Sequence, residues 1–193
     1  ASALRDTIFN EDFGKLFVRK LTAVFGDVDS PTLSYTATTI SADGDVTTLI
    51  SNDTLYVFSS KDSTGADSIK VTASDGQYSV SDTFKVTVNA VNDAPYVANA
   101  LRDTTFNEDF GKLFVRKLTA VFADVDGPPS TYASFILAGS VTAQISNDSL
   151  YVTSALNANG ASTIRVTAFD GTSTASDTFA VTVNAINDPP VIS

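Results

Sequence analysis

Carboxylates dominate the chemistry this chain can offer: 22 Asp and Glu stand against 12 Lys and Arg, and there is no Cys and no His. The acids fall at matched places. Glu11 and Asp12, Asp27 and Asp29, Asp75, then Asn92 and Asp93 are answered by Glu108 and Asp109, Asp124 and Asp126, Asp170, then Asn187 and Asp188. Calcium takes about six to eight oxygens from carboxylates, amides and carbonyls and tolerates irregular geometry, so loops that bring such residues together can hold it. Clustered anions with no cation among them would repel one another. The same residues also read as solvated turn formers. Asp75 and Asp170 precede Gly, an ordinary hairpin signal, and Asn92, Asp93, Asn187 and Asp188 stand just before Pro, as linker turns do.

Without His or Cys the chain has no thiolate nucleophile, disulfide or tetrahedral zinc site, and lacks the usual general base of a hydrolytic triad. Paired carboxylates can act as acid and base on a glycosidic bond. Their duplication in predicted loops favours ligation, and the chain is read as a non-enzyme. Up to Val97 there are 7 basic and 13 acidic residues, and after it 5 and 9. The basic residues read as thinly scattered, which argues against nucleic acid and acidic lipid as partners. No apolar run approaches the roughly 20 residues that cross a bilayer, so membrane insertion is not expected. No signal-peptide pattern opens the chain, and the expectation is a soluble piece of a longer protein. Absence of Cys leaves the redox compartment open.

The elements that must position these acids are legible because the chain is one module written twice. Leu4 to Asp29 returns as Leu101 to Asp126 with only Ile8/Thr105 and Gly26/Ala123 changed. The later halves match more loosely, as ISNDTLYV from Ile50 against ISNDSLYV from Ile145, and TFKVTVNAVNDAP from Thr83 against TFAVTVNAINDPP from Thr178. Such internal repetition is read before any other feature. Period-two alternation sets Ile69, Val71 and Ala73 against Lys70 and Thr72, and Phe84, Val86 and Val88 against Lys85, Thr87 and Asn89; Ile164 to Ala168 and Phe179 to Val183 repeat it. These are half-buried strands. Strands are predicted at 4–9, 16–20, 33–38, 46–50, 55–58, 68–73 and 84–89. Asp-Gly turns fall at Asp43, Asp75, Asp126 and Asp170, and Leu21 to Phe25 makes at most one helical turn. The expected architecture is all-β: two tandem Ig-like sandwich domains of about seven strands each, spanning residues 1–95 and 96–193, joined by a short linker.

The motifs NED, DVD, TASDG and VNDAP in the first copy, and NED, DVD, TAFDG and INDPP in the second, resemble those of cadherin and bacterial cadherin-like tandem repeats. The resemblance implies calcium at domain junctions. Ligands there would come from Glu11, with Asp12 as an addition, from Asn92 and Asp93 in the linker, and from Asp124, Asp126 and Asp170 in the second repeat. It also implies a half-site of Asp27, Asp29 and Asp75 facing a preceding repeat, and another of Glu108, Asn187 and Asp188 facing a following one. No DRE motif precedes the sixth strand, and Ala90 stands where the family's linker begins with Asp, so fewer ions or lower affinity are expected. On this reading the chain is a calcium-binding, cell-surface or extracellular module of a large adhesin. Its partners would be calcium, neighbouring repeats and a cell-surface or glycan ligand.

The aromatic residues give the alternative, a carbohydrate-binding module of a secreted polysaccharide-degrading system. There is no Trp. Phe9, Phe13, Phe17, Phe25 and Phe84 sit in apolar patterns that read as core, while Tyr35, Tyr56 and Tyr78 lie on different segments, so no platform of exposed rings is evident. A metal-independent spacer is the third reading.

Overall fold

A computed structural model describes residues 3–41 and 46–190. The predicted Asp-Gly turn at Asp43 lies outside the described residues. The chain divides into two compact units, Ala1–Val91 and Asn92–Ser193. Each is built of strands, with one 3₁₀ turn apiece among the described residues.

In the first unit the strands are β1 (Thr7–Asn10), β2 (Leu16–Lys20), β3 (Ser34–Thr39), β4 (Val46–Ser51), β5 (Thr54–Ser59), β6 (Gly65–Ser74) and β7 (Ser79–Asn89). One sheet has the order β1-β7-β6-β3 and the other β2-β5-β4. All neighbours are antiparallel except β1, which runs parallel to β7. In the second unit β8 (Tyr96–Val97), β9 (Thr104–Asn107), β10 (Leu113–Lys117), β11 (Phe122–Ala123), β12 (Thr131–Ala138), β13 (Thr142–Ser146), β14 (Ser149–Thr153), β15 (Gly160–Phe169) and β16 (Thr174–Asn184) follow. They form sheets β12-β15-β16-β9 and β10-β14-β13, with a short added pair of β11 and β8.

The alternation read from sequence sets the inner faces. Ile69, Val71, Val86 and Val57 are fully buried, as are Ile164, Val166, Val181 and Val152. Phe84 and Phe179 fill the middle of each core. The predicted helical turn is a 3₁₀ turn at Leu21–Ala23, repeated at Leu118–Ala120. Its leucine is wholly buried, and its amide donates to the hairpin carbonyl of Asp53 at 2.7 Å or Asp148 at 2.6 Å. Those hairpins turn on Asn52-Asp53 and Asn147-Asp148, with φ of 48° and 56° in both copies. Positive φ at both central residues matches the right-handed twist of the flanking strands, and Asn and Asp adopt it at low cost.

Two further pairs of acids fasten the strands. Asp82 accepts the Leu4 amide at 2.7 Å and Asp6 accepts that of Lys85 at 2.8 Å; Asp177 and Asp103 do the same for Leu101 at 2.6 Å and Ala180 at 2.7 Å. The repeats diverge between their third and fourth strands. In the first, buried Asp67 accepts the Ser41 hydroxyl and, at 2.7 Å, the Val46 amide. In the second, Ser162 takes that position and accepts the Val141 amide at 3.1 Å. Gly139 there lies at φ +92° with a Cβ position already occupied by Ser162, so the shorter connection requires glycine.

Candidate metal centre

Each unit carries acids at two poles. Asp170 closes the turn before β16 and Glu108 follows β9, which runs parallel to the end of β16. The eleven residues of β16 put about 33 Å between them at roughly 3.3 Å per residue. In the first unit Asp75 and Glu11 are separated by the equally long β7. Candidate residues within one unit therefore belong to two distinct places.

At the first pole of the second unit, the Asn92 side-chain amide donates to the Asp170 carboxylate at 3.0 Å and to the Asp93 carbonyl at 2.7 Å. The Asp93 amide donates to Asp126 at 2.6 Å, and the Asp126 amide to Asp124 at 3.0 Å. Asn92, Asp124, Asp126 and Asp170 line one open cleft with Gly127 and Pro128, of about 180 Å³. That is room for an ion with several waters, at about 30 Å³ each. Asp170 also accepts the Ser173 amide at 2.6 Å and the Thr172 amide at 2.5 Å. The Ser173 amide, then the Asn92 side chain and the Thr172 amide, hold its carboxyl below the usual Asp value. Its first oxygen takes the two backbone amides and its second the Asn92 side chain. Asp124 Oδ2 is buried and meets no hydrogen-bond donor among the described residues. A buried carboxylate oxygen without a donor is costly unless a cation neutralises it. The donor set is all oxygen, which fits calcium rather than a soft metal.

The corresponding pole of the first unit is built alike. Asp27 accepts the amides of Asp29 at 2.8 Å and Ser30 at 2.7 Å, and Asp75 accepts those of Tyr78 at 2.6 Å and Gln77 at 2.7 Å. The Tyr78 amide first, then that of Gln77, lowers the Asp75 pKa. Asp27 and Asp75 line a common cleft with Leu33 and Tyr78, while Asp29 is engaged through its backbone.

At the opposite poles the glutamates are buried: Glu11 and Glu108 are 9% and 6% exposed. Glu11 accepts the Val91 amide at 2.6 Å; Glu108 accepts that of Ile186 at 2.7 Å and the Asn159 side chain at 3.4 Å. Asp12 and Asp109 adopt positive φ and accept the amides of Asp62 and Asn157, each at 2.8 Å. Asn187 donates to the carbonyl of Asp188 at 3.4 Å, and both are exposed. One oxygen of each glutamate is thus occupied by backbone, and in Glu108 the other takes the Asn159 side chain. Sequence reasoning missed Asp6, Asp82, Asp103 and Asp177; the signal available was their recurrence in LRD and SDTF in both copies.

Phe17 also departs from expectation. It is 61% exposed and packs edge-on to Tyr56 at 6.4 Å, so it lies outside the core that Phe25 and Phe84 do join.

Comparison with known proteins supports the fold. No family model matches the chain, and no curated protein matches it. Among solved structures, Drosophila N-cadherin EC1-4 is similar with a TM-score of 0.54 and 15% identity over 94% of this chain and 48% of that one. Extracellular cadherin domains 1-4 of protocadherin gamma B7 give 0.52 and 12%, over 93% and 49%. Human protocadherin-24 EC1-2 gives 0.52 and 14%, over 97% and 95%. The chain spans about half the length of the four-domain cadherin chains it matches. The fold is similar to that of cadherin extracellular domains; at these identities the likeness concerns the fold alone. Among the described residues no helix is long and apolar enough to cross a membrane.

Proposed function

We propose that the chain is a calcium-binding, non-enzymatic repeat module of a large extracellular or cell-surface adhesin. The ion would be held in the second unit by Asn92, Asp93, Asp124, Asp126 and Asp170. The observation that carries this reading is the Asp124 oxygen buried without a donor among the described residues, beside a cleft lined by Asp126 and Asp170. Calcium there supplies positive charge and no reactive chemistry. It would tie Asn92 and Asp93 to the loops bearing Asp124, Asp126 and Asp170, and so stiffen the stretch where one repeat passes into the next. Without the ion the carboxylates repel, and the residues Asn92 to Tyr96 open more readily to protease. Similarity of fold to cadherin extracellular domains supports an extracellular setting.

The test is calorimetric titration of calcium into the chelator-stripped protein, beside an Asp124→Asn, Asp126→Asn variant. Saturable binding that the variant loses, with chelator-dependent cleavage in residues 92–96, is expected. Absence of heat, together with a melting temperature indifferent to calcium, overturns the reading and leaves a metal-independent spacer.

A further inference from the structure

The three-stranded sheet of each unit gathers the chain's cations. Its strands β2, β4 and β5, or β10, β13 and β14, contain no Asp or Glu. Lys15, Arg19 and Lys20 with Lys112, Arg116 and Lys117 make up half of the 12 basic residues, all on or beside β2 and β10. The scatter of cations expected from the sequence is therefore a concentration on two strands.

That sheet also presents rings. Phe17 and Phe114 are 61% and 57% exposed and stand edge-to-face with Tyr56 and Tyr151, at 6.4 and 5.8 Å between centroids. Lys15 sits 3.9 Å over the Tyr56 ring and Lys112 4.2 Å over Tyr151. Each tyrosine thus braces the phenylalanine and holds an ammonium beside it, which lowers the entropy cost of using either. Tyr56 and Tyr151 keep this role although they fall in the half of the repeat that matches loosely, where Leu49 opposite Tyr56 becomes Gln144 opposite Tyr151.

We propose that this face binds an anionic polysaccharide, one site per repeat: a pyranose lies against the exposed face of Phe17 or Phe114, and its carboxylate or sulfate meets Lys15 or Lys112. Charge complementarity selects the ligand, because half of the 12 basic residues lie on or beside β2 and β10 in a chain with net charge −10. One braced ammonium per ring suits a sugar acid, which combines an apolar C–H face with a single anion. A nucleic acid carries a phosphate on every residue and demands a longer run of cations. Two such sites on one chain also suit a polymer that repeats. The site uses none of the residues assigned to calcium.

Affinity electrophoresis of the full chain in chelator tests this without the metal, using polygalacturonate, dextran sulfate, neutral dextran and single-stranded DNA as probes. Retardation by polygalacturonate or dextran sulfate and not by neutral dextran is expected. Phe17→Ala with Phe114→Ala should weaken it about tenfold or more, and Lys15→Gln with Lys112→Gln should weaken it and flatten its salt dependence. Circular dichroism of these surface variants should match the parent. No retardation by either acidic glycan overturns the proposal. So does retardation that persists in the phenylalanine variant, which would be ion exchange alone, or stronger retardation by DNA.

Discussion

Replacing Glu108 by alanine should destabilise the second unit through its backbone, whatever the fate of calcium. Its carboxylate accepts the Ile186 amide at 2.7 Å and the Asn159 side chain at 3.4 Å, and the residue is 6% exposed. A bond to an ionised acceptor is worth about 1.5–3 kcal/mol. Ile186 is itself 50% exposed, so water can reach the freed amide and the loss falls near the lower end, about 1.5–2 kcal/mol. For a unit of about 100 residues this moves the melting temperature by roughly 6–15 °C. Glu108→Gln keeps an acceptor oxygen in place and should cost less than about 1 kcal/mol. The assay is thermal and urea unfolding in chelator, with hydrogen exchange read at the Ile186 amide. Faster exchange at Ile186 in the alanine variant and near-parent exchange in the glutamine variant are expected. Equal destabilisation by both variants would refute the hydrogen-bond account and assign the effect to the charge; no change in either would show that the carboxylate carries no structural load.

Two other outcomes follow from buried polar groups. Asp67→Ala removes the acceptor of the Val46 amide and of Ser41 in the core of the first unit, and should cost about 1–3 kcal/mol for each donor left unpaired, read by urea unfolding with faster exchange at Val46. Tyr35 and Tyr132 have pKa values above the ordinary 10.0, chiefly because burial disfavours the phenolate and secondarily because of Asp53 and Asp148. Folded-state values above the unfolded one mean stability that is complete below pH 10 and lost as pH rises through the folded values. Ultraviolet difference titration should show these two phenolates forming above pH 10, with melting temperature falling over the same range.

The all-β sandwich was legible because strand periodicity is a local property. Ile69, Val71 and Ala73 alternate with Lys70 and Thr72 in the sequence and do so in the sheet. The Asp-Gly turns at Asp75, Asp126 and Asp170 were equally local, since glycine supplies the positive φ found at Gly76, Gly127 and Gly171. β7 was shortened in the reading because its first residues, Ser79 to Thr83, have Val80 as their one apolar member and carry no apolar alternation. The two-residue turn at Asn52-Asp53 was present in the sequence but not read as a turn.

The candidate site was legible in composition and not in grouping. Repetition of Asp27, Asp75, Asp124 and Asp170 identified acids worth asking about, yet it could not say which share a cleft or which are occupied by backbone amides. That sorting depends on strands far apart in the chain: β16 carries Asp170 at one end and brings Glu108 to the other through its parallel pairing with β9. Phe17 was read as core from its hydrophobic identity, whereas its neighbours Leu16 and Val18 pack inward and strand alternation turns Phe17 to solvent. Amino-acid order by itself determined the repeat, the strands and the oxygen-rich chemistry, all of which are set within a few residues. Tertiary structure alone decided which carboxylate oxygens remain free and which ring faces solvent, because both depend on donors and neighbours supplied by distant segments.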